Sequence, residues 1–263
     1  MIQIAFIGTG KMSSVLISCI YKNRGYGIIA SNRSKEKLIQ LKTRFPKIKA
    51  AKSNIEAARN SDIIFICVKP QDIDNVLEEI KNDAGNKIVI SIAAGIKTGY
   101  IESKLRNAKV IRIMPNVACL AGEMSGGICA GKRAGKKDTE KISGILRPAG
   151  KLFIVKEEFM DIVTAISGSG PAFFAYFIKA FAEAGVKNGL PREIALKLAA
   201  QTALGTAKLL LEKNMAPEEL INMVASPKGT TMAGLEVLDK SNAREILEKA
   251  IEAAARRSRE MAK

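Results

Sequence analysis

A glycine-rich segment follows the first apolar run of the chain. The run Ile2–Ile7 is continuous and rich in isoleucine, and Gly8-Thr9-Gly10-Lys11-Met12 comes directly after it, where a helical pattern begins. Glycines in such a turn let the backbone approach a pyrophosphate, and the helix that follows offers N–H groups and the positive end of its dipole. The order of strand, turn and helix therefore predicts a dinucleotide site, with these five residues as its first candidates. A plain structural turn is the alternative.

The residues after the second apolar run indicate which dinucleotide fits. An NAD site usually carries Asp or Glu about 20 residues beyond the glycine motif, where it binds the ribose 2′-hydroxyl. Here the chain reads Ser31-Asn32-Arg33-Ser34-Lys35, with no acid and with cations and hydroxyls that suit a 2′-phosphate. We predict NADPH as the cofactor, with NADH serving less well, and Asn32, Arg33 and Ser34 as binding residues. The alternative is that these residues only cap the next helix.

Two further apolar runs end in residues that are candidates for contact with such a cofactor. Val68-Lys69-Pro70 closes the run that starts at Ile63, and Ala93-Ala94-Gly95 follows the run that starts at Ile88. Ligands of open α/β sheets bind at the carboxyl ends of parallel strands. Small residues at 93–95 would let a flat ring lie close to the backbone, so all six residues are cofactor candidates. A strand-to-helix turn without a ligand would have the same pattern.

The absence of histidine narrows the remaining chemistry. It removes the commonest transition-metal ligand and every imidazole acid or base, and the four cysteines lie far apart without a CxxC pair, so we expect no metal and reduced, buried thiols. The net charge is +16, but lysines and arginines are mixed with acids along the chain, which favours solvated faces over a nucleic-acid surface. No uninterrupted apolar run approaches about 20 residues, and Met1 leads into a strand pattern rather than a signal peptide. We expect a cytoplasmic protein that binds neither nucleic acid nor membrane.

The pattern of elements divides the chain into two halves. Up to about residue 155, short apolar runs alternate with helical stretches, which predicts an α/β fold with an N-terminal Rossmann-like, doubly wound parallel sheet. After about residue 158 only helical patterns remain, at residues 171–186, 191–213, 217–224, 231–238 and 243–261. We predict an NADP-binding domain at residues 1–158 and an all-helical domain at 159–263. The helices are so rich in alanine and leucine that we expect them to pack against a second subunit.

Six segments together resemble the pyrroline-5-carboxylate reductase family, in family order over nearly the whole chain. They are Gly8-Thr9-Gly10-Lys11-Met12, Val68-Lys69-Pro70-Gln71, Ser91-Ile92-Ala93-Ala94-Gly95, Arg112-Ile113-Met114-Pro115-Asn116, Ser167-Gly168-Ser169-Gly170-Pro171-Ala172 and Ser226-Pro227-Lys228-Gly229-Thr230-Thr231. The resemblance implies NADPH-dependent reduction of the cyclic imine 1-pyrroline-5-carboxylate to L-proline, the last step of proline synthesis. It also implies a helical C-terminal dimerisation domain, a homodimer that can assemble further into a decamer, and a place for Asn116 beside the cofactor.

The last two segments are implied to hold the substrate. In the family, backbone N–H groups of the loop at residues 226–231 bind the substrate carboxylate, and the hydroxyl at the position of Thr231 is the usual candidate for bonding the ring nitrogen. We expect the N–H groups of Gly229 and Thr230 to clamp the carboxylate, and Thr231 to act as the catalytic residue. The substrate-binding candidates are Ser169, Gly170, Ser226, Lys228, Gly229, Thr230 and Thr231. An N-cap on an interhelical turn is the structural alternative for the loop, and it is compatible with binding.

The sequence departs from the family pattern at two places, and two other functions are alternatives to the one that the resemblance implies. Val117-Ala118 stands where the family usually has Thr-Pro, and Lys228 stands where glycine is common. A β-hydroxyacid dehydrogenase would have a similar fold, but its lysine, four residues after a glycine-rich helix start, is missing here. A non-enzymatic protein that senses NADP or binds nucleic acid is suggested only by the positive charge.

Overall fold

The computed structural model describes residues 1–23 and 25–261, and the chain forms two compact units. The first unit contains Met1–Ser169 and the chain from Glu252 onward, and the second contains Gly170–Ile251. The first unit thus extends beyond residue 158, where the sequence pattern changes. Met160 explains part of this extension, because it is fully buried in a small cluster with Met114 and Cys129 of the sheet.

An eight-stranded sheet forms the centre of the first unit and confirms the predicted fold class. The strands are β1 Ile2–Ile7, β2 Tyr26–Ser31, β3 Lys49–Ala50, β4 Ile63–Ile66, β5 Ile88–Ser91, β6 Lys109–Met114, β7 Met124–Ala130 and β8 Gly150–Ile154. They are arranged in the order β3-β2-β1-β4-β5-β6-β7-β8, and every neighbouring pair is parallel except β6 and β7. The first six strands have the order of a doubly wound dinucleotide fold.

Seven helices accompany these strands along the described part of the first unit, and two hydrophobic clusters lie on the sheet. They are α1 Lys11–Tyr21, α2 Lys35–Arg44, α3 Asn54–Arg59, α4 Ile73–Ile80, α5 Thr98–Lys104, α6 Lys136–Leu146 and α7 Met160–Val163. Side chains alternate between the two faces of a strand, so Ile4 and Phe6 of β1 enter one cluster while Ala5 and Ile7 enter the other. Both faces are therefore covered, as the continuous apolar runs predicted.

The second unit is helical, as predicted. It contains α8 Gly170–Lys187, α9 Arg192–Glu212, α10 Pro217–Val224 and α11 Thr230–Asp239, and it includes the start of α12 Ala243–Glu260, whose end belongs to the first unit. Few of its side chains are buried within one chain, whereas large apolar residues such as Phe174, Phe181 and Leu211 are more than two-thirds exposed. Such an apolar surface is typical of a subunit interface.

Two helical stretches are also long and apolar enough, by length and composition alone, to cross a membrane. They are Glu157–Lys187 and Arg192–Glu212, with mean hydropathies of 1.2 and 1.3. This differs from the expectation drawn from the sequence, because a mean over 18 residues tolerates one or two charges, whereas an uninterrupted apolar run tolerates none. Length and composition are weak indications, since helices that pack against another subunit have the same composition.

Candidate active site

The predicted cofactor candidates follow five strands that are parallel neighbours. β2, β1, β4, β5 and β6 lie side by side in this order, so their carboxyl ends share one edge of the sheet. The candidates follow the ends of these strands along the chain: Gly8, Thr9, Gly10, Lys11 and Met12 after β1, Asn32, Arg33 and Ser34 after β2, Val68, Lys69 and Pro70 after β4, Ala93, Ala94 and Gly95 after β5, and Asn116 after β6. The topology thus brings residues from five separate segments to a single edge.

The glycine turn after β1 has the geometry that a pyrophosphate needs. Gly8 has a φ of +92°, and a Cβ there would lie 2.9 Å from the carbonyl oxygen of Cys67. Gly10 is the N-cap of α1 without a side-chain cap, and a Cβ built on it meets no atom within 4 Å. The backbone N–H of Ser14 donates to the Gly10 carbonyl at 3.0 Å, so the three preceding N–H groups have no intrahelical acceptor. The turn is therefore open and presents N–H donors, which fits a phosphate group.

The loop after β2 is organised by Asn32. Its amide donates to the Thr9 hydroxyl and accepts from the Ser34 backbone N–H at 3.0 Å, which ties this loop to the glycine turn. The Arg33 side chain is 92% exposed, and its Nη1 lies 3.8 Å from Asp72 Oδ1. Such an exposed ion pair is weak, so the guanidinium remains available to a phosphate.

Ser34 is more occupied than the sequence suggested. Its hydroxyl accepts from the Lys37 backbone N–H as the N-cap of α2 and donates to Glu36 Oε2 at 2.7 Å. This bond lowers the pKa of Glu36, a residue that the sequence reasoning overlooked because it lies beyond the expected position of an NAD-binding acid. The spacing Ser34-Lys35-Glu36 was the available signal. A negative charge beside Ser34 leaves Arg33 as the more suitable phosphate ligand.

The loops after β4 and β5 differ in exposure. Lys69 is exposed at the start of a 3-10 turn over Pro70–Asp72, whereas Val68 and Pro70 are half-buried. Ala93 is buried and its backbone N–H donates to the Ser91 hydroxyl at 3.2 Å, and Gly95 has a φ of +75°. Only glycine adopts this region without strain, so residue 95 fixes the path of the loop. Ala94 is half-buried between these two residues.

Asn116 performs a structural task that the sequence did not reveal. Pro171 has no N–H, so it cannot donate to the carbonyl of Ser167, four residues earlier in the helical stretch. The Asn116 side chain takes this place, because its Nδ2 donates to the Ser167 carbonyl at 3.1 Å. Its Oδ1 also accepts from the Ser125 backbone N–H at 3.3 Å. The buried amide therefore ties the end of β6 to the segment at residues 164–169.

The structure corrects the expected position of Ser169 and Gly170. Pro171 was expected to mark a helix start, but α7 continues through a π-helical turn over Thr164–Gly168 into α8. The Ser169 backbone N–H donates to the Thr164 carbonyl at 2.9 Å, the i→i+5 bond of a π-turn. Residues 169 and 170 therefore lie inside a helical stretch and present no helix N-terminus. Their role in substrate binding remains a prediction that rests on the side chain of Ser169 and on the π-turn itself, a feature often found at functional sites.

The loop at residues 226–231 forms a tight turn that leads into α11. The Gly229 backbone N–H donates to the Ser226 carbonyl at 2.9 Å, and a Cβ at Gly229 would lie 2.3 Å from the Ser226 hydroxyl. Lys228 has a φ of +57°, at the turn position that glycine or asparagine usually occupies. This conformation explains why a glycine would be common there.

The turn leaves a different set of donors from the expected one. The Gly229 N–H is used within the turn, and the Ala233 N–H is the first of α11 to bond back, to the Gly229 carbonyl at 3.2 Å. The N–H groups of Thr230, Thr231 and Met232 consequently have no intrahelical acceptor, and Gly229 provides no side-chain cap. The donors available to a carboxylate are therefore those of Thr230 and its successors.

Three of the four cysteine thiols are poor candidates for a nucleophile. Burial raises the pKa of the Cys67 and Cys119 thiols, and it raises that of Cys129 to about 12, so these thiols stay protonated near neutral pH. None of the four cysteines is in a disulfide. Residues 1–23 and 25–261 also contain no group of three or more acidic, cysteine or histidine side chains that could hold a metal.

Two family profiles match the chain. The profile described as pyrroline-5-carboxylate reductase dimerisation matches residues 157–261. The profile described as NADP oxidoreductase, coenzyme F420-dependent, matches residues 3–95. The second match covers the glycine turn and the loops after β2, β4 and β5, while the first covers the helices of the second unit together with α7 and α12.

Related proteins match over the full length. A pyrroline-5-carboxylate reductase from Methanosarcina acetivorans is 40% identical over 99% of this chain and 98% of its own. The structure of a pyrroline-5-carboxylate reductase from Coxiella burnetii has a TM-score of 0.93 at 34% identity, with 99% of this chain and 98% of that one covered. The crystal structure of a Plasmodium falciparum pyrroline carboxylate reductase with NADP bound has a TM-score of 0.86 at 33% identity, covering 100% of this chain and 98% of that one.

Proposed function

The chain belongs to the pyrroline-5-carboxylate reductase family, and we propose that it reduces 1-pyrroline-5-carboxylate to L-proline with NADPH, the last step of proline biosynthesis. The observation that carries the proposal is the turn at residues 226–229. It places an uncapped helix N-terminus and the hydroxyl of Thr231 on one short segment. A compact carboxylate and a ring nitrogen are the groups that such a segment can recognise together.

The substrate end of the mechanism follows from these donors. The N–H groups of Thr230 and Thr231, with the positive end of the α11 dipole, bind the carboxylate. The ammonium of Lys228 adds a positive charge to this anion site. The Thr231 hydroxyl bonds the ring nitrogen and orients the C=N bond, and the remaining substrate candidates are Ser169, Gly170, Ser226 and Gly229. An imine that arrives protonated needs no strong general acid, which agrees with a chain that has no histidine.

The cofactor end uses the sheet edge. When bound, NADPH supplies the hydride that reduces the C=N bond. The open turn at Gly8 and Gly10 binds the pyrophosphate, Arg33 binds the 2′-phosphate, and the loop at residues 93–95 supports the nicotinamide. Holding donor and acceptor in a fixed orientation lowers the barrier by several kcal/mol, and this is the protein's main contribution.

The helical region is a dimerisation domain, and the protein is a homo-oligomer. In our proposal two chains cover each other's exposed apolar helices as a homodimer, and five dimers can form a decamer. The location proposed is the cytoplasm, where thiols that are buried and protonated remain reduced. The long apolar helices are assigned to the subunit interface rather than to a membrane, and the +16 charge to solvated faces rather than to nucleic acid.

Two other functions compete with this proposal. A β-hydroxyacid dehydrogenase would have a lysine four residues after a glycine-rich helix start. Here Phe173, Phe174 and Ala175 follow Gly170-Pro171-Ala172, and this segment continues the helical stretch of α7, so the lysine is missing and the segment is not a helix start. A nucleic-acid-binding protein that uses NADP as a signal would bind random duplex DNA strongly near physiological salt. A salt titration of duplex binding tests this alternative.

The deciding experiment is a steady-state assay. Oxidation of NADPH is followed at 340 nm with 1-pyrroline-5-carboxylate, with NADH as the control cofactor and a small β-hydroxyacid plus NADP⁺ as the control reaction. We expect turnover with the imine, faster with NADPH than with NADH. Turnover of the hydroxyacid without turnover of the imine would reject the proposal.

A further inference from the structure

A buried arginine lies behind the loop that follows β5. The Arg112 side chain, on β6, is only 3% exposed, and in the strand register Arg112 stands beside Ser91, the last residue of β5. Its Nη1 lies 3.6 Å from Glu157 Oε1 and its Nη2 lies 4.0 Å from Asp161 Oδ1. Its Nε and Nη2 make no hydrogen bond within the part of the chain that the structure describes. Arg112 therefore interacts with the two carboxylates mainly through charge and not through short hydrogen bonds.

The Glu157 carboxylate is bound on both oxygens by a single residue. Oε1 accepts from the Thr98 backbone N–H and Oε2 accepts from the Thr98 hydroxyl, each at 2.7 Å. Thr98 is buried and is the first residue of α5, whose N-cap, Lys97, supplies no side-chain cap. Glu157, which is distant in sequence, thus takes over the capping of α5. The Glu157 side chain is 28% exposed, and the positive charge of the buried Arg112 lies 3.6 Å from its Oε1, where it favours the ionised carboxylate.

The loop between Ser91 and Thr98 is consequently held at both ends. At its start the Ser91 hydroxyl accepts the Ala93 N–H at 3.2 Å, and at its end Glu157 holds Thr98. The left-handed Gly95 lies between these two anchors. The same loop contains all three residues assigned to the nicotinamide end of the cofactor.

Asp161, the second carboxylate beside Arg112, is bonded to the last helix of the chain. Asp161 Oδ1 accepts from the hydroxyl of Ser258, a buried residue of α12, at 2.7 Å. Asp161 therefore links Arg112 of the sheet to Ser258 of the last helix. Three elements that are far apart in sequence are joined in this way behind the loop.

We propose that Glu157, compensated by Arg112, is a positioning residue that holds the loop at residues 92–97 in the path required by the nicotinamide end of the cofactor. This inference rests on the proposed function, because the loop has this task only in a nicotinamide-dependent reductase. Glu157 acts through Thr98 and touches neither substrate nor cofactor. Removal of the Glu157 carboxylate weakens binding of the nicotinamide end of the cofactor and leaves binding of the adenosine end unchanged.

Dissociation constants for two ligands test the proposal. NADPH uses the whole site, whereas 2′,5′-ADP lacks the nicotinamide and reports only the adenosine end. We expect Thr98→Val and Glu157→Gln to raise the Kd for NADPH by about fivefold to tenfold, to lower kcat, and to leave the Kd for 2′,5′-ADP within about twofold. Thr98→Ser keeps the hydroxyl and restores NADPH binding. Thr98→Val removes only one hydroxyl, so it decides the question if Glu157→Gln does not fold.

Asp138 of α6 provides a matched control, because its cationic partner, Lys109, lies on the same strand as Arg112. Asp138 accepts from the Gly135 backbone N–H at the start of α6 and lies 3.1 Å from Lys109 of β6, so it is also a helix-capping carboxylate beside a cation. Asp138→Asn should leave both dissociation constants unchanged. The inference is overturned if Thr98→Val raises the Kd values for NADPH and 2′,5′-ADP equally or changes neither, provided that the unmutated protein binds NADPH. If the unmutated protein binds neither NADPH nor 2′,5′-ADP, the proposed function itself is overturned.

Discussion

Lys228 offers a test in which backbone strain and charge can be separated. Its φ of +57° places an L residue in the left-handed region, which costs about 1–2 kcal/mol relative to an ordinary conformation. Lys228→Gly removes this cost but increases the entropy of the unfolded chain by about 0.5–1 kcal/mol. The net expectation is a stabilisation of about 0.5–1 kcal/mol, or roughly 2 °C in Tm for a chain of this size.

The charge of Lys228 predicts the opposite effect on catalysis. If the ammonium assists the carboxylate, its loss should raise the KM for the substrate by a factor of about 1.4 to 5, because an exposed ion pair contributes about 0.2–1 kcal/mol. The increase should shrink at high ionic strength. Lys228→Ala is the matched control, since it removes the same charge but keeps the strained φ. Both variants should raise KM equally, whereas only Lys228→Gly should raise Tm.

Thermal unfolding at one fixed protein concentration and substrate titrations at two salt concentrations provide the data. A lower Tm for Lys228→Gly than for Lys228→Ala would show that the turn does not have the left-handed conformation at this position. An unchanged KM in both variants would separate Lys228 from the carboxylate site.

Four further outcomes follow from the structure. Arg33→Ala should raise the KM for NADPH about tenfold, a loss of about 1.5 kcal/mol, and leave that for NADH unchanged; equal weakening would show that Arg33 does not read the phosphate. Thr231→Ala should lower kcat about tenfold with a smaller change in KM, Thr231→Ser should restore most of the rate, and parental turnover of the alanine variant would refute the assignment. Sedimentation of the intact protein at micromolar concentration should give a dimer or larger species, which an active monomer would contradict. Burial would raise the pKa of Asp138, but the Gly135 N–H and the Lys109 ammonium lower it overall, so its stabilisation is present above the unfolded pKa of about 3.9 and is lost as pH falls through the lower folded value. Asp138→Asn should therefore reduce the free energy of unfolding at pH 7, and this loss should shrink as the pH falls below the unfolded pKa; a loss that does not change with pH in acid would contradict this origin.

The sequence predicted those elements that local patterns specify. The helix α10 has the predicted bounds, Pro217–Val224, and it begins at a proline, which is favoured in the first turn. The strands of the sheet centre were visible as apolar runs because both faces are buried. The short strand Lys49–Ala50 was missed, since two exposed residues at a sheet edge leave no apolar pattern.

Features that depend on distant partners were not predictable. At the π-turn before Pro171, the Ser167 carbonyl accepts from the side chain of Asn116, and no local pattern indicates such a partner. Proline at this position therefore suggested a helix start instead. Likewise, nothing near Thr98 indicates that Glu157 caps its helix, because the two residues meet only when the sheet has formed.

The candidate site shows the same division. The glycine turn at Gly8 was predictable, because a strand, a turn and a helix follow each other without a gap. The free donors of α11 were assigned one residue too early, since the use of the Gly229 N–H within the turn depends on the backbone conformation of Lys228. The identity of these donors could be read only from the folded turn.

Transfer of a labelled hydride tests the central claim most directly. The protein is supplied with 1-pyrroline-5-carboxylate and NADPH that carries deuterium at both C4 positions, and the product is examined by mass spectrometry and NMR. The proposed reaction predicts L-proline with a single deuterium, located at C5, in an amount equal to the NADPH consumed. Proline without deuterium, or oxidation of the cofactor without formation of proline, would contradict the assignment of this chain as an NADPH-dependent reductase of the cyclic imine.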